Sequence, residues 1–362
     1  MVNIIHLSTA KSWRGGEQQI ANLINDLENK NVNQIIICPK GAPLAKYCKE
    51  KNHNYFEFKK RFGVDPLFCL KVYLKAIEHK IDLIHAHDAQ AHTAAVLNGL
   101  FLLAKPKIIV NRRVIFPIKK AWFTKFKYNY AKVKQIICVS KAVQKVVLNT
   151  VSQEKTSVIY SAINPITTEL KNGELRKELK LPDATKIIGT VAALTQEKGI
   201  HIFLETAKVL LQNNQNLHFI IAGKGKLEQS LKSLAQELEI HDKVTFLGFR
   251  ANVKEILTDI NILLFTSKSE GLGTSLLEAM QTKVPIVAFN TGGIPEMIKD
   301  NETGVLVQNH TPEDFSKGVM KILNNTELKE TLTKNAFQSL DKFSLAQMAQ
   351  STLMVYESVL EN

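Results

Sequence analysis

The sequence lacks the features that direct a chain into or across a membrane. Its first residues show no charged segment followed by a long apolar run and a cleavage site, so no signal peptide is indicated. The longest apolar run, AAVLNGLFLLA, is interrupted by Asn98 and is shorter than the roughly 18 residues of a membrane span. We therefore expect a cytoplasmic protein.

The sequence also offers little for binding a metal. Its four cysteines show no metal-ligand spacing, and we expect reduced thiols. No two aspartates are separated by a single residue, so the D-x-D pattern of a metal site is absent. We expect neither a metal nor another cofactor.

Acidic residues are missing from a long part of the front half. Between Ala89 and Gln153 there are none, against 12 basic residues. Residues 1–165 hold 26 Lys+Arg and 10 Asp+Glu, whereas residues 166–362 hold 21 and 24. This asymmetry predicts that the front half meets a polyanionic partner or an anionic membrane surface.

Short apolar runs rich in β-branched residues alternate with segments of helical period in both halves. VNIIHLS and QIIICP are examples from the first half, and INILLFTS and PIVAFN from the second. This alternation predicts an α/β protein with two Rossmann-like, doubly wound parallel sheets. The pattern is interrupted at residues 160–176, which include Pro165, and this predicts domains at 1–165 and 166–345. Ligands are expected beyond the carboxyl ends of the strands.

The stretch SEGLGTSLLEAM, residues 269–280, carries Glu270 and Glu278 on either side of two glycines. Ser275 and Glu278 have the S-x-x-E spacing of a capping box, which would make Glu278 a helix cap. Alternatively, a helix that begins near Ser275 points its unpaired amides at an anion such as a phosphate. Glu270 has no part in a capping box, so it is the stronger candidate for binding a ligand.

The spacing of these two acids, followed by PIVAFNTGGIPEMI, resembles the retaining glycosyltransferases of family 4, which have the GT-B fold. DLIHAH, QIICVSKAV, FIIAGKG and VTFLGF follow in the family's order, so the resemblance covers nearly the whole chain. It implies two Rossmann-like domains that face a cleft. It also implies a C-terminal helix, residues 346–362, that returns toward the first domain.

The resemblance implies a donor site for a nucleotide diphosphate sugar. Glu270 and the backbone that follows it would hold the sugar hydroxyls, and Glu278 would accept hydrogen bonds from the ribose. The amides of Thr274 and Ser275 would meet the diphosphate. The donor-binding candidates are Gly15, Gly16, Gly223, Arg250, Gly271, Leu272, Gly273, Thr274, Ser275 and Glu278.

The diphosphate leaving group needs positive charge, which the family supplies with an R-L-x-x-x-K-G pattern. This chain has AALTQEKG, so Lys198 matches the lysine and Ala193 stands at the arginine position. An arginine binds phosphate with two parallel hydrogen bonds, which a lysine does not. Lys224 and Lys226 are candidate replacements, and solvated surface lysines are the alternative.

The front half adds further candidates near the ends of its strands. Gly15 and Gly16 form a loop whose amides reach the diphosphate or an acceptor, unless the loop is a plain tight turn. In the family, the histidine at the position of His87 lies against the donor sugar. For His85 we expect a structural role, and the two-residue spacing of these histidines does not by itself indicate a metal. Asp88 is a candidate for orienting or deprotonating the acceptor.

The stretch NRRVIFPIKKAWFTKFKYNYAKVKQ interleaves basic and aromatic residues. It fits a membrane interface, a nucleic-acid surface or an ordinary helix with a buried aromatic face. The resemblance favours the membrane, because many family members act on lipid-carried acceptors. Arg112 and Arg113 alternatively hold an acidic acceptor. The acceptor or membrane candidates are Asp88, Arg112, Arg113, Lys119, Lys120, Trp122, Phe123, Lys125, Phe126 and Lys127.

Together these features predict a retaining, metal-independent glycosyltransferase with His87, Glu270 and Lys198 as its catalytic residues. The expected donor is a UDP-sugar, with GDP- and ADP-sugars as alternatives. The expected acceptor is a lipid-linked or lipopolysaccharide-type glycan at the inner face of the cell membrane, and no nucleic-acid partner is expected. The alternative is a catalytically weak relative that binds a glycan or a partner protein, which the departure at Ala193 suggests.

Overall fold

The computed structural model describes residues 2–28, 30–61, 63, 65–101, 106–119 and 121–361. The strands are β1 (Val2–Leu7), β2 (Val32–Pro39), β3 (Tyr55–Phe58), β4 (Leu83–Ala86), β5 (Lys107–Arg112), β6 (Val133–Cys138), β7 (Thr156–Val158), β8 (Lys186–Val191), β9 (Leu217–Ala222), β10 (Val244–Gly248), β11 (Ile262–Phe265), β12 (Ile286–Phe289) and β13 (Val305–Val307). The helices are α1 (Gly15–Leu27), α2 (Pro43–Glu50), α3 (Pro66–Glu78), α4 (Ala89–Phe101), α5 (Trp122–Asn129), α6 (Lys141–Val147), α7 (Glu174–Glu178), α8 (Ile200–Asn213), α9 (Glu228–Glu237), α10 (Val253–Asp259), α11 (Thr274–Gln281), α12 (Pro312–Leu323), α13 (Thr326–Gln338) and α14 (Leu345–Glu361).

Two compact units make up the fold. The first comprises Met1–Asn164 and Phe343–Asn362, and the second comprises Pro165–Lys342. The first contains a seven-stranded sheet in the order β3-β2-β1-β4-β5-β6-β7, and the second a six-stranded sheet in the order β10-β9-β8-β11-β12-β13. In both orders the chain starts in the middle of the sheet and winds out to each edge. The predicted α/β fold with two Rossmann-like sheets is confirmed.

The strands are parallel because their side chains are apolar on both faces, so that helices can cover each face of the sheet. In β2, for example, Ile35, Ile36 and Ile37 are all buried, and β2 pairs in parallel with both β1 and β3. Residues at the carboxyl ends of such strands come together at one edge of the sheet. Most of the candidate residues lie there.

Helix α14 belongs to the first unit, which agrees with the prediction that the C-terminal helix returns toward the first domain. It packs on α1 and β6. Tyr356 on α14 is fully buried in a cluster that also contains Leu23 of α1, Leu83 of β4 and Ile137 of β6. The helix therefore completes the core of the unit that begins the chain.

Candidate active site

In the second unit, the glycine-rich stretch after β11 leads directly into helix α11. The helix begins at Thr274, and its N-cap is Gly273, whose φ of 90° lies in the left-handed region that favours glycine. The helix thus starts within one residue of the position predicted near Ser275, whereas the alternative Ser275–Glu278 capping box is wrong, because no side chain caps this helix. Gly273 turns the chain without a side-chain cap, and Ser275 already lies inside the helix. The first amides of α11 remain available to an anion, and Glu278 has no capping duty.

Glu270 and Lys198, two predicted catalytic residues, form an ion pair. The Lys198 Nζ lies 2.5 Å from the Glu270 Oε2, and both side chains are largely buried. Lys198 lies just before Gly199, the N-cap of α8, whose φ is 63°. The pair thus joins the loop after β8 to the loop after β11, two neighbouring strands of the sheet.

A second loop supports the backbone of Glu270. Gly293 N donates to Glu270 O at 3.0 Å. Gly292, with a φ of 56°, comes so close that a Cβ atom there would lie 2.1 Å from Glu270 O. Only glycine fits this contact, and it fixes the position of Glu270.

We expect Gly292→Ala to lower the free energy of unfolding by about 2 to 4 kcal/mol, because it adds a steric clash to an unfavourable φ. Gly173→Ala is the matched control in the same unit, since Gly173 has a φ of 82° but a Cβ atom added there would meet nothing within 4 Å. It should cost only the backbone strain, about 1 to 2 kcal/mol. Urea unfolding measures both changes, and equal losses would contradict the close packing of Gly292 on Glu270.

Glu278 lies one turn into α11, and burial raises its pKa to about 7. The ammonium of Lys254 on α10 opposes this rise, and burial in turn lowers the pKa of Lys254. The sequence analysis missed Lys254 because it lies on another helix, and α10 packs on α11 only in the folded unit. Each of the two glutamates thus has a lysine that acts on it electrostatically.

The other donor candidates of this unit have structural partners of their own. Gly223 packs so closely on the end of β8 that a Cβ atom there would lie 1.8 Å from Ala192 O. Arg250 is paired with Glu178 at the end of α7. Lys224 and Lys226, the candidate replacements for the family's arginine, are both exposed. Leu272 is buried, whereas Thr274 and Ser275 are partly exposed at the start of α11.

In the first unit, Gly15 and Gly16 form the first turn of α1. Arg14 N donates to Glu17 Oε2 at 2.9 Å and closes this turn. Gly16 lies against Arg113, whose Cδ would be 3.8 Å from a Cβ at position 16. Burial raises the pKa of Glu17 and lowers that of Arg113 to about 10, and the charge of each opposes the shift of the other. The predicted glycine loop and one predicted acceptor residue are thus brought together.

The carboxylate of Asp88 ties the loop after β1 to the start of α4. Its Oδ2 accepts from Thr9 N at 2.6 Å and from Ser8 Oγ at 3.3 Å. Its Oδ1 accepts from Thr9 Oγ1 at 2.5 Å and from the amides of Gln90 and Ala91 at 3.0 and 2.9 Å. These contacts give Asp88 a structural role that the sequence did not predict. Its part in activating an acceptor stays a prediction.

His87 lies in a cluster of buried histidines that includes a member the sequence analysis missed. His6 on β1 pairs in register with His85 on β4, and nitrogen atoms of His6, His85 and His87 lie within 4.8 Å of one another. Burial lowers the pKa of all three rings, that of His6 to about 4. The rings are therefore neutral at physiological pH.

Hydrogen bonds occupy both ring nitrogens of His87. Gln34 Nε2 donates to Ile24 O, so its Oε1 accepts from His6 Nε2 at 3.1 Å. His6 Nδ1 then accepts from His87 Nε2 at 3.0 Å, and Asn111 Nδ2 donates to His87 Nδ1 at 3.0 Å. A sugar hydroxyl that bonds to this ring must replace one of these partners. His85 Nδ1 contacts the Tyr356 hydroxyl at 2.7 Å, in agreement with its predicted structural role.

The basic and aromatic segment divides into exposed and buried residues. Trp122 is 77% exposed, its ring stacks on Phe126, and Lys119, Phe123 and Lys125 are also exposed. Lys127 does not fit the prediction of a membrane or acceptor contact. It is buried, and its Nζ donates to Ala89 O at 3.3 Å and to Thr93 Oγ1 at 3.2 Å, because it packs on the first turn of α4.

The two arginines at the start of this segment, Arg112 and Arg113, are partly buried. The Arg112 guanidinium donates to Tyr128 Oη at 3.5 Å and to Phe116 O, and so holds the chain between β5 and α5. Lys120 lies outside the described residues. Within the described part of the chain, no helix is both long and apolar enough to cross a membrane.

Each of the two units contains a parallel, doubly wound sheet. In the second unit, Glu270 and Glu278 flank the glycine turn at the start of helix α11. This architecture is that of the GT-B class. Solved structures of that class match the whole chain. HepE of Anabaena, in complex with UDP and glucose, superimposes with a TM-score of 0.84 over 99% of this chain and 100% of that one, at 18% identity. The lipopolysaccharide outer core galactosyltransferase WaaB gives a TM-score of 0.75 over 99% of each chain, at 17% identity.

Sequence comparisons then identify the family. Residues 13–166 match the model of Glycosyltransferase Family 4, and residues 171–339 match that of Glycosyl transferases group 1. The chain belongs to these family 4-type glycosyltransferases.

Its relatives include proteins with named activities. A poly(ribitol-phosphate) alpha-N-acetylglucosaminyltransferase of Staphylococcus aureus is 23% identical over 92% of this chain and 68% of its own length. The O-antigen biosynthesis glycosyltransferase WclY of Escherichia coli is 24% identical over 80% of each. An uncharacterized glycosyltransferase of Methanocaldococcus jannaschii is 29% identical over 63% of this chain. That match covers only 60% of the relative's own length.

Proposed function

We propose that the protein transfers a sugar from a nucleotide diphosphate sugar to a glycan hydroxyl, with retention of anomeric configuration and without a metal ion. A UDP-sugar is the expected donor, with GDP- and ADP-sugars as alternatives. A lipid-linked or lipopolysaccharide-type saccharide is the expected acceptor. The observation that carries this proposal is the buried Lys198–Glu270 ion pair beside the free amides at the start of α11.

In this proposal the two glutamates bind the two ends of the donor. Glu270 accepts hydrogen bonds from the sugar, and Glu278 accepts them from the ribose. The diphosphate lies between them, on the first amides of α11, where the helix dipole favours negative charge. Lys198 adds a full positive charge. Because Ala193 supplies none, Lys198 carries more of the leaving-group stabilisation than a lysine paired with an arginine does.

Transfer with retention follows from attack on the same face of the sugar from which the diphosphate leaves. The sugar gains oxocarbenium character as its bond to the diphosphate breaks, and the leaving phosphate accepts the proton of the acceptor hydroxyl. No protein nucleophile takes part. Fixed positions and preorganised charges supply the rate in such a mechanism. For His87 we propose a hydrogen bond to a substrate hydroxyl, formed after the ring exchanges one of its present partners.

Relatives and structural neighbours support the two substrate classes. The structure of HepE contains UDP and glucose, and the names of WclY and of the S. aureus enzyme state O-antigen and poly(ribitol-phosphate) chemistry. We also propose a membrane contact for segment 112–126, which is the front part of the basic and aromatic stretch. Its exposed side chains would contact an anionic membrane surface. Its exposed Trp122 and lysines, without any acidic neighbour in sequence, support this contact.

Nucleotide binding is testable without knowledge of the acceptor. We expect UDP at about 100 times its Kd to raise the melting temperature by roughly 3 to 5 °C, since ligand binding stabilises the folded state by about 2.7 kcal/mol at that ratio and the unfolding entropy grows with chain length. A thermal-shift screen of UDP, GDP and ADP, each with and without EDTA, measures this. Retention of the shift in EDTA is expected for a metal-independent site. No shift with any of the three nucleotides contradicts the proposal.

A further inference from the structure

Helix α3 carries an exposed apolar stripe. Leu67, Leu70, Leu74 and Ile77 are between 40% and 57% exposed, and they recur every three or four residues, so they share one face of the helix. The opposite face, with Phe68 and Val72, is buried. Helix α3 is thus apolar on its exposed face as well as on its buried face. A helix at the surface of an isolated domain normally exposes polar residues.

Positive charge surrounds this stripe. Lys59, Lys60 and Arg61 precede the helix, and Lys71 and Lys75 lie along it, over the rings of Phe58 and Phe56. The acids nearby are already engaged. Asp65 is buried as the N-cap of α3 and accepts from the amides of Leu67 and Phe68. Glu78 pairs with Lys75 at 2.7 Å, and this pair offsets the charge of Lys75 as well. The net positive charge at the stripe therefore comes from Lys71 and from residues 59–61. The stripe therefore presents an apolar centre with a cationic border.

Helix α3 and the exposed part of segment 112–126 are both connected to helix α4. Helices α3 and α5 both pack on α4. Lys60 Nζ donates to Gln90 Oε1 at 2.6 Å, and Lys127 Nζ donates to Ala89 O at 3.3 Å, so the chain before α3 and helix α5 both contact the first turn of α4. Two apolar, cationic surfaces thus border the same helix end. The first unit exposes Val114, Phe116, Trp122 and Phe123 on one of them.

We infer that helix α3 lies in the interface of an anionic lipid bilayer, with Leu67, Leu70, Leu74 and Ile77 among the acyl chains and its lysines at the headgroups. Amphipathic helices bind membranes in this way, with the apolar face buried about 5 to 10 Å deep and the cations at the anionic surface. This inference rests on the proposed membrane contact of segment 112–126, and it adds a second, mainly apolar anchor to it.

A second copy of the chain fits the stripe less well. A symmetric dimer places the same patch on both partners, so Lys71 of one copy would face the cationic border of the other. Like charges opposed at an interface cost several kcal/mol. A bilayer with anionic lipids satisfies both the apolar centre and the cationic border.

Vesicle binding by the full chain tests the inference. The variant Leu70→Ser/Leu74→Ser removes half of the stripe, Trp122→Ser removes the anchor of segment 112–126, and Met354→Ser is the control. Met354 is an exposed apolar residue of the same unit, 60% exposed, on α14. We expect the α3 variant to bind phosphatidylcholine vesicles containing phosphatidylglycerol about 10- to 100-fold more weakly than the wild type, since two large apolar side chains leave the bilayer.

The outcomes separate the two membrane proposals. If Trp122→Ser binds vesicles more weakly but the α3 variant binds them as well as Met354→Ser does, the proposed role of α3 is overturned. The proposed membrane contact of segment 112–126 then remains supported. Light scattering that finds a dimer for the wild type and a monomer for the α3 variant also overturns it, because a second copy then covers the stripe. The UDP thermal shift of the α3 variant should equal that of the wild type, which shows that the fold and nucleotide site are intact.

Discussion

Replacing Glu270 with glutamine is expected to lower kcat by about 100- to 1,000-fold, the loss found when one group that stabilises a transition state is removed. The glutamine keeps the size of the side chain but loses its charge. Lys198 then has no counterion at 2.5 Å, and the donor sugar loses a charged acceptor for its hydroxyls. The thermal-shift screen selects the nucleotide, and the rate at which this nucleoside diphosphate is released from its sugar donor measures the change.

A surface ion pair of the same unit provides the control. Lys299 and Glu302 lie 3.6 Å apart with both side chains well exposed, and exposed pairs contribute little. Glu302→Gln should leave kcat unchanged. The double variant Lys198→Met/Glu270→Gln should be about as slow as the slower single variant, because the two residues act as one unit. Wild-type rates in Glu270→Gln would falsify the proposed donor site.

Replacing Glu278 with glutamine is expected to stabilise the protein at pH 8 and to weaken its binding of UDP. Burial raises the pKa of this carboxyl from 4.5 to about 7, so the folded state binds a proton that the unfolded state has released. Stability due to this group is therefore present below pH 4.5 and is lost as the pH rises to about 7. The shift corresponds to about 3 kcal/mol, of which solvent screening of this partly exposed side chain leaves on the order of 1 to 2. The uncharged glutamine avoids this loss.

Urea unfolding at pH 5 and pH 8 checks the stability half of the prediction. The wild type should lose stability between the two values relative to Glu278→Gln. Isothermal titration checks the binding half. The wild type should bind UDP more tightly as the pH rises through about 7, and the variant should bind about 10- to 100-fold more weakly at pH 8, since a hydrogen bond to a charged group is lost. Equal affinities at pH 8 would contradict a ribose contact at Glu278.

The fold was predictable because its signals are local. Short apolar runs such as residues 35–38 indicate buried strands. The alternation of such runs with helices indicates a parallel sheet. The start of α11 was predicted to within one residue, but its cap was not predictable in the same way. The S-x-x-E spacing competed with Gly273, and the left-handed φ of that glycine decided where the helix begins.

The errors and omissions at the site have one origin, which is contact between residues distant in sequence. Lys127 looks like a surface lysine in its segment, yet the first turn of α4 supplies carbonyl and hydroxyl acceptors for its ammonium. His6 stands alone in β1 until the pairing of β1 with β4 sets it beside His85. Lys254 meets Glu278 only through the packing of α10 on α11. Sequence spacing contains none of these relations.

The assignment of residues 343–362 to the first unit has a consequence for synthesis on the ribosome. The second unit is one continuous segment, so it is free to fold as soon as it emerges. The first unit is made earlier but lacks Tyr356 and the rest of α14 until the whole second unit has been translated. The half of the molecule that is synthesised first is therefore the half that is completed last, and its histidine cluster gains the Tyr356 contact only at that moment.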